Sequence, residues 1–538
     1  MMDNQRRNRI LPITVTLLLL TILQLLTGCS GSKASGPGNG GAGQSQAVPQ
    51  PTEMSRVIDS VYTTERALAL TFNGMGDEER MDRLLQKLDD YGIKASFFLP
   101  GMRVAEEPDI ARRIAAHGHE LEAGTLNREA IEGLNYEQLE REVRLDLQVL
   151  REHTEADPRY VRSSWGEVSD ALRYAAEAGG LRAVVGQTLF LHNWQEETEE
   201  ERRTLIRNYV QRGAILALDT EENEDLLANV KRIAEAAEAV GYAFVTLEEL
   251  DAKGGARLAG DEVPGYDAAL LDSDAGAGAD YRLWRGAAQS GDDAAEMTSR
   301  HATGQADEQA EKQAIAQADE QAGGRATDNA GAGSAADRSE NGGASRAVAL
   351  TFDDWGSDAA ITPILDVLAE YEVRASFFLR ADGVVRNPNL ARAIAEAGHD
   401  VGNHTYSHPV ITELTTQQLQ QEIVQAHRII AEAIQQPPAM LFRPPTGAFE
   451  PEDLAAIAAT GYRDIVLFDV DPEDYKRERT AQQIVDATLA QAQGGSLVLL
   501  HLLDGTHTAD ALPGIIEGLR ARGYAIEPVS ALLEGYTD

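Results

Sequence analysis

The chain has 538 residues, of which 43% are hydrophobic and 25% charged, and its net charge at pH 7 is −39. This length predicts two to four domains at roughly 100–200 residues per domain. An acidic surface repels phosphate backbones, so we expect no nucleic-acid partner. The single cysteine, Cys29, excludes a disulfide framework, a thiolate zinc site and an iron–sulfur cluster. Any metal must therefore be held by His, Asp or Glu.

The first 28 residues are predicted to be a secretory signal, because a basic start precedes an apolar run from Ile10 to Leu26. The ending Leu-Thr-Gly-Cys29 resembles the lipobox of bacterial lipoproteins. That resemblance implies lipidation of Cys29, a membrane anchor and a location outside the cytoplasm. An uncleaved membrane helix is the alternative, although the run is short for a span of about 20 residues. Residues 29–55, rich in Gly, Ser, Pro and Gln, are predicted to form a flexible tether.

The remaining sequence contains two similar segments. Arg66–Leu99 aligns with Arg346–Leu379 without a gap, and the similarity continues in the same order along both copies. Two copies this similar should share one fold, so we predict domains over 56–251 and 346–538. Residues 252–345 are rich in Ala, Gly, Asp and Gln. This composition buries little apolar surface and predicts a disordered acidic linker.

Strands alternate with helices in the second copy, and the pattern predicts an α/β fold. The predicted strands are Val348–Phe352, Ala375–Leu379, Asp400–Asn403, Met440–Phe442, Asp464–Val470, Ser496–Leu500 and Ala525–Val529, and the predicted helices include Thr416–Ile434, Pro451–Ala459 and Thr480–Gln491. Apolar strands that alternate with amphipathic helices favour a parallel sheet. We therefore predict two tandem, distorted (β/α) barrels joined by the linker. A doubly wound open sheet is the alternative.

Polar residues follow five of the predicted strands. They are Asp353 and Asp354, His404 and His408, Arg443, Asp471 and Asp474, and His501, in chain order. In a parallel barrel all these positions open onto the C-terminal face, where active sites lie. We therefore expect them to form one site.

The residue types in this group indicate a chemistry. Two histidines four apart with a carboxylate supply three metal ligands and leave a position for water, which is typical of catalytic zinc. A second carboxylate can act as base on that water, and Arg443 can orient it. A separate histidine beside a carboxylate can protonate a leaving group. This set suits hydrolysis of an amide or an ester.

With these motifs in place, the second copy resembles the polysaccharide deacetylases, the NodB homology domain of carbohydrate esterase family four. The motifs are Thr351-Phe-Asp-Asp354, His404-Thr-Tyr-Ser-His408, Arg443-Pro-Pro-Thr-Gly447, Asp471-Pro-Glu-Asp-Tyr475 and Leu499-Leu-His501. The resemblance implies a monomeric enzyme that uses a divalent metal, with Zn²⁺ expected. Its substrate would be a polysaccharide with N-acetylated amino sugars, such as peptidoglycan.

The resemblance also implies a role for each residue. Asp353 would be the base, oriented by Arg443, and His501 the acid, tuned by Asp474. The metal ligands would be Asp354, His404 and His408, and Leu499 would line the acetyl pocket.

Two aromatic residues depart from the family pattern. Trp355 stands where the family usually has glycine, and Tyr475 stands where it usually has tryptophan. Either aromatic ring can stack on a sugar or pack inside the fold. Asp471 is either a residue of the ligand loop or a turn former before Pro472. For His399 we favour a structural role, because the first copy keeps its equivalent, His119.

The first copy lacks the residues of the predicted site. Asn73, Gly74, Gly124, Arg128, Asn193 and Asp219 replace Asp353, Asp354, His404, His408, Asp474 and His501, respectively. We predict an inactive domain that binds glycan, with Trp165 and Trp194 as candidate contacts, or acts as a spacer. Two other functions stay open for the whole chain. One is a glycosidase that pairs Asp353 with Asp471 or Asp474, and the other is a non-catalytic wall-binding protein.

Overall fold

The computed structural model describes residues 49–191, 193–194, 197–270, 281–286 and 346–534. The predicted secretory segment and Cys29 lie outside the described residues. Within these ranges no helix is both long enough and apolar enough to cross a membrane.

The first domain alternates strands with helices. Its strands are β1 (Arg56–Ile58), β2 (Ala67–Asn73), β3 (Ser96–Leu99), β4 (Glu120–Ala123), β5 (Tyr160–Val161), β6 (Ala183–Val185), β7 (Leu189–Leu191), β8 (Ile215–Asp219) and β9 (Ala243–Val245). Its helices are α1 (Glu78–Asp90), α2 (Gly101–Glu106), α3 (Pro108–Ala116), α4 (Tyr136–Thr154), α5 (Asp170–Ala178), α6 (Glu199–Tyr209), α7 (Leu226–Ala239) and α8 (Leu247–Ala252).

The second domain repeats this arrangement. Its strands are β10 (Arg282–Trp284), β11 (Ala347–Asp354), β12 (Ser376–Leu379), β13 (Asp400–Asn403), β14 (Leu441–Phe442), β15 (Asp464–Val466), β16 (Leu497–His501) and β17 (Ala525–Ile526). Its helices are α9 (Asp358–Glu370), α10 (Ala381–Arg386), α11 (Pro388–Glu396), α12 (Thr416–Ile434), α13 (Pro451–Ala459), α14 (Ala481–Gln491), α15 (Thr508–Ala521) and α16 (Val529–Glu534).

Both sheets are parallel and curl towards a barrel. The strand order is β1-β6-β5-β4-β3-β2-β8-β7 in the first domain and β10-β15-β14-β13-β12-β11-β16 in the second. Strands β11 to β15 follow one another in space as in sequence, whereas a doubly wound sheet reverses its order part-way. The chain after β15 returns to β16, where Val470 forms a parallel bridge with Val498. The distorted (β/α) barrel prediction is therefore confirmed, and the open-sheet alternative is excluded.

The sheets are stabilised by burial on both faces. In β11 every residue before Asp354 is buried, as expected of a strand with helices outside and a filled barrel inside. Phe352 and Phe377 stack in the layer beneath the helices, whereas Phe378 points into the barrel. The residues at the C-terminal ends of the strands are thus held in place by strands that are packed on both faces.

Strand β10 lies in the segment 252–345, which was predicted to be a linker. It pairs in parallel with β15, and Trp284 Nε1 donates a hydrogen bond of 2.9 Å to Asp464 Oδ1. Its position matches that of β1, which pairs with β6. Strand β10 has only three residues, which is too short a pattern to predict a strand from the sequence. Its pairing with β15 stabilises it. In the sequence, residues 287–345 therefore lie between β10 and β11, which belong to the same sheet.

Residues 257–270, also assigned to the linker, lie along α12 of the second domain. His427 Nε2 donates to the carbonyl of Gly265 at 2.7 Å, and its Nδ1 lies 2.8 Å from the hydroxyl of Tyr462. Ala269 is buried beside these residues in the core under α12 and α13. The connection between the domains is thus partly ordered by packing that its composition does not reveal.

Candidate active site of the second domain

Three predicted metal ligands meet at the C-terminal edge of the second barrel. Asp354 ends β11, and His404 and His408 follow β13. One ligand atom from each lies within 4.8 Å of the others. Asp354 and His408 both adopt a positive backbone φ, 76° and 62° respectively. Residues other than glycine rarely take this conformation. Strain of this kind at both ends of the cluster is typical of functional sites.

The tautomer of His404 fits metal binding. Its Nδ1 donates to the carbonyl of Arg443 at 2.8 Å, because a carbonyl can only accept. The Nε2 lone pair is therefore left to face the carboxylates. Burial, with the neighbouring His408, lowers the pKa of His404 to about 3, so the ring is neutral. Two imidazoles and a carboxylate are a donor set that fits a divalent metal such as zinc.

The carboxylate of Asp353 lies beside this cluster and is held by Arg443. Arg443 Nη1 donates to Asp353 Oδ1 at 2.7 Å and to the hydroxyl of Thr351 at 2.8 Å. Its other nitrogens donate to the carbonyls of Val466 and Leu467. Burial raises the pKa of Asp353, and the charge of Arg443 opposes that shift. The second oxygen of Asp353 lies 3.8 Å from His404 Nε2 and is free of Arg443.

His501 forms a second pair at the same edge. Asp474 accepts from His501 Nδ1 at 2.7 Å and from the backbone nitrogen of His501 at 2.8 Å. The hydroxyl of Thr508 donates to the same carboxylate at 2.6 Å. Burial lowers the pKa of His501, but the hydrogen bond and charge of Asp474 outweigh it and raise the pKa to about 8. The ring can therefore carry a proton at neutral pH.

Residues around this centre differ in their access to a ligand. Tyr475 is 39% exposed and lies edge-on to His501 with ring centroids 5.1 Å apart. Leu499 is buried in β16 beside Thr351. Trp355 is 7% exposed and belongs to the hydrophobic core, where its ring lies against Gly383. This position favours packing, the alternative reading of Trp355, over stacking on a sugar.

Asp471 and His399 take positions that fit structural roles. Asp471 Oδ1 accepts from the backbone nitrogen of Glu473 at 2.8 Å, as a turn former does. His399 Nδ1 accepts from the backbone nitrogen of Ala375 at 3.1 Å, and His119 makes the matching bond to Ala95 in the first domain. Neither residue belongs to the group of Asp354, His404 and His408 that could hold a metal.

Comparisons with known proteins identify the family of this chain. The family described as polysaccharide deacetylase matches residues 60–184 and 340–465. A peptidoglycan-N-acetylglucosamine deacetylase of Bacillus cereus is 32% identical over 194 residues, which cover 35% of this chain and 88% of that protein. The chain belongs to the polysaccharide deacetylase family. The two family matches fall on the two copies recognised in the sequence.

Other members of the family are similar over the same share of the chain. A chitooligosaccharide deacetylase of a Bradyrhizobium species is 33% identical and covers 35% of this chain and 91% of its own. The peptidoglycan-N-acetylmuramic acid deacetylase PdaC of Bacillus subtilis is 35% identical over 35% of this chain. The chain spans 39% of the length of PdaC.

The first deacetylase-family domain keeps the buried arginine but has an ion pair in place of the predicted metal ligands. Arg162 donates to Thr71 at 2.7 Å and to Asn73 at 3.2 Å, as Arg443 donates to Thr351 and Asp353. Arg128 Nη2 lies 2.5 Å from Asp219, and its Nη1 lies 2.8 Å from Glu221.

Gly74 takes the position in the first domain that Asp354 has in the second, and the guanidinium of Arg128 lies beside it. A Cβ atom there would come within 2.6 Å of Arg128 Nη1. The guanidinium therefore occupies space that a side chain at position 74 would need.

Two hydroxyls of the second site were not recognised in the sequence. Thr508 holds Asp474, and Thr351 holds Arg443. Thr351 lies within the Thr-Phe-Asp-Asp motif, so its place there could have identified it. Thr508 begins α15 and has no neighbouring motif, so its contact with Asp474 depends on the folded structure.

Proposed function

We propose that the protein is a metal-dependent deacetylase that hydrolyses N-acetyl groups of amino sugars in a peptidoglycan-like polymer. The observation that carries this proposal is the meeting of two pairs at one barrel edge. Asp353 with Arg443 lies beside the ligand cluster, and His501 with Asp474 lies on the neighbouring strand. This arrangement offers a base and an acid around one metal position.

The proposed mechanism assigns a separate task to each pair. Asp354, His404 and His408 would hold a divalent metal, which would supply a lowered pKa for water and polarisation of a carbonyl. Asp353 accepts the proton of the attacking water, and Arg443 keeps its carboxylate oriented. The attack on the acetyl carbon expels the sugar nitrogen.

His501 completes the reaction by donating its proton to that nitrogen, so the products are acetate and a free amine. Asp474 maintains the proton on His501, since its negative charge favours the imidazolium. Leu499 and Tyr475 are proposed to contact the acetyl group and the sugar, respectively. Tyr475 has the exposed face that such a contact needs.

We propose that the first domain is inactive. Arg128 puts a cation where a ligand would be required, and it is held there by ion pairs with Asp219 and Glu221. Trp194 donates to Asn229 at 2.8 Å and packs on the core, which supports a structural role. Trp165 lies under Arg128 with 5.1 Å between the guanidinium carbon and the ring.

We further propose that the protein acts outside the cytoplasm, anchored by a lipid on Cys29. The support is the lipobox-like sequence together with the names of the relatives, which include peptidoglycan and chitooligosaccharide deacetylases. Zinc is the proposed metal, because two imidazoles and one carboxylate suit it.

The glycosidase alternative has weaker support. Asp474 is fully buried and already accepts hydrogen bonds from His501 and Thr508. A carboxylate in that position does not reach a sugar. The wall-binding alternative gives no reason for a base, an acid and three ligands to converge.

The test is acetate release by the full chain on peptidoglycan, chitin oligomers and an exopolysaccharide, with and without a chelator. We expect release that stops in the chelator and returns with added zinc. Undiminished release in the chelator would contradict the metal-dependent mechanism. A lack of release on all three polymers from protein with bound metal would contradict the function itself.

A further inference from the structure

A buried ion pair joins the two domains. Arg212 of the first domain places Nη1 2.5 Å from Asp358 Oδ1 of the second, and their side chains are 4% and 1% exposed. Tyr242 of the first domain donates to the same oxygen at 2.7 Å. Thr362 and Asn387 of the second domain donate to this carboxylate at 2.9 and 2.6 Å. The carboxylate of Asp358 is thus fully partnered, and two of its partners come from the first domain.

The first domain shows that this burial is not intrinsic to the fold. Glu78 begins α1 as Asp358 begins α9, but the side chain of Glu78 is 69% exposed. Asp109 is the counterpart of Asn389. The side chain of Asp109 is 85% exposed, whereas Asn389 is only 5% exposed. The same two positions are therefore at the surface in one copy and at an interface in the other.

Asn389 extends this interface beyond the ion pair. Its Nδ2 donates to the carbonyls of Val61 at 2.8 Å and Arg212 at 2.7 Å, and its Oδ1 accepts from the nitrogen of Thr63 at 3.2 Å. The backbone before β2 and before β8 thus binds the start of α11. Buried polar contacts of this kind fix one relative arrangement of the two domains, since each partner would otherwise be left unsatisfied.

The interface is directly connected to the loop that follows β11. Asp358 comes four residues after the proposed ligand Asp354, and the residues between them form the turn into α9. Ser357, inside this turn, donates to Asp504 through its backbone nitrogen at 3.1 Å and through its hydroxyl at 2.5 Å. The end of this turn is therefore held by Asp504 at Ser357 and, one residue later, by the first domain at Asp358.

A second connection leads to the loop of the two histidines. Asn387, which binds Asp358, directly follows α10. The first two backbone nitrogens of α10 donate to the carbonyls of Thr405 and Tyr406 at 3.1 and 2.9 Å. These two residues lie between His404 and His408. Both ligand loops are thus packed on elements that the first domain contacts.

We propose that Arg212 is a positioning residue for the active site of the second domain, which makes the inactive copy a structural part of the active enzyme. The inference rests on the proposed function of the second domain. Without Arg212 the carboxylate of Asp358 is buried with no cation, and the start of α9 must move to reach water. That movement displaces Asp353 and Asp354 from the positions that catalysis needs.

Four variants of the full chain test this inference. Arg212→Met removes the cation, and Arg212→Met/Asp358→Asn also removes the charge that it neutralised. Tyr242→Phe removes one neutral donor and is a milder change if the first variant unfolds. Arg66→Met is the control, because Arg66 also pairs across the interface, with Asp366, but at the surface.

The first readout is hydrogen exchange of backbone amides in 353–358 and 404–408, which requires neither activity nor metal. We expect faster exchange in Arg212→Met, a smaller change in the same direction in Tyr242→Phe, and no change in Arg66→Met. The double variant should return towards wild type, since a neutral amide at position 358 does not require a cation. Unchanged exchange in both Arg212→Met and Tyr242→Phe would overturn the proposal.

The second readout is acetate release from chitin oligomers. Arg212→Met should lower kcat by about tenfold or more with a smaller change in KM, and the double variant should recover most of this loss. A folded Arg212→Met protein with wild-type kcat would contradict the positioning role. If the wild-type chain releases no acetate, the proposed function fails, and the exchange measurement still decides whether Arg212 orders the two loops.

Discussion

Asp474 binds His501 twice, once through the ring at 2.7 Å and once through the backbone nitrogen at 2.8 Å. The same carboxylate raises the pKa of His501 to about 8 even though burial acts in the opposite direction. A histidine with this pKa is mostly protonated at pH 7. It can therefore act as an acid at neutral pH.

This pair predicts a change in the pH profile of the reaction. The profile of kcat/KM should be bell-shaped, with the alkaline limb set by loss of the proton from His501. Asp474→Asn removes the negative charge that favours the protonated ring, so the pKa of His501 falls. The alkaline limb should then move to lower pH by about one unit or more. The measurement is kcat/KM between pH 5 and pH 10.

Asp510→Asn is the matched control for that experiment. Asp510 lies 3.1 Å from Nδ1 of the exposed His507, so it forms a similar pair at the surface of the same domain. Its substitution should leave both limbs in place. An alkaline limb that does not move in Asp474→Asn would contradict the role of Asp474.

The second prediction is that Asp353→Asn folds but loses activity. The first domain already contains this combination, since Arg162 donates to Asn73 in the same buried position. The barrel therefore tolerates an amide opposite the arginine. An amide cannot accept the proton of water, so kcat/KM should fall by about 10²–10⁴-fold. Activity is measured as acetate release and folding as the thermal unfolding temperature.

Arg443→Met provides the contrast to that variant. It leaves the carboxylate of Asp353 buried without its cation, which costs about 3–5 kcal/mol of stability. A lower unfolding temperature in Arg443→Met than in Asp353→Asn is therefore expected. Near-wild-type turnover in Asp353→Asn would show that another group is the base.

The third prediction concerns metal content. The full chain should bind about one divalent ion, held by the second domain, and His404→Ala should lose both the ion and turnover, because two ligands hold a metal poorly. His507→Ala is the control, since His507 is a half-exposed histidine outside the cluster. Metal per chain is measured after dialysis against a weak chelator. A tightly bound equivalent in the His404→Ala/His408→Ala variant would contradict the assigned ligands.

The fourth prediction is that Arg128 stabilises the first domain and has no part in turnover. Arg128→Met leaves Asp219, which is fully buried, without its cation. The first domain should lose about 3–5 kcal/mol of stability, while acetate release below its unfolding temperature stays within about twofold. Thermal unfolding and acetate release are measured on the same preparation. A loss of release with unchanged stability would place Arg128 in the reaction.

The sequence predicted those parts of the molecule that depend on local pattern. Helices Thr416–Ile434 and Pro451–Ala459 and strand Asp400–Asn403 have the predicted bounds, because caps and apolar periodicity mark their ends. The convergence of polar residues followed from one property of parallel strands, that all their carboxyl ends lie on one face.

The features that the sequence did not predict depend on contacts between distant residues. Strand β10 is stabilised by β15, and nothing in Arg282-Leu-Trp284 alone marks a strand. Trp355 directly follows Asp353 and Asp354 in sequence. Its ring lies in the core because Gly383 has no side chain that would occupy the same space. The contact between Arg212 and Asp358 depends on which surfaces of two similar domains meet, and no local pattern carries that information.

The most direct test of the account is to count two products of the full chain acting on purified peptidoglycan. Acetate is measured together with new reducing ends, for the wild-type chain and for Asp353→Asn. We expect acetate to accumulate with wild-type protein while reducing ends stay constant, and we expect neither product with Asp353→Asn. New reducing ends without acetate would identify a glycosidase, and acetate release by Asp353→Asn at the wild-type rate would show that the assigned centre is not the active site.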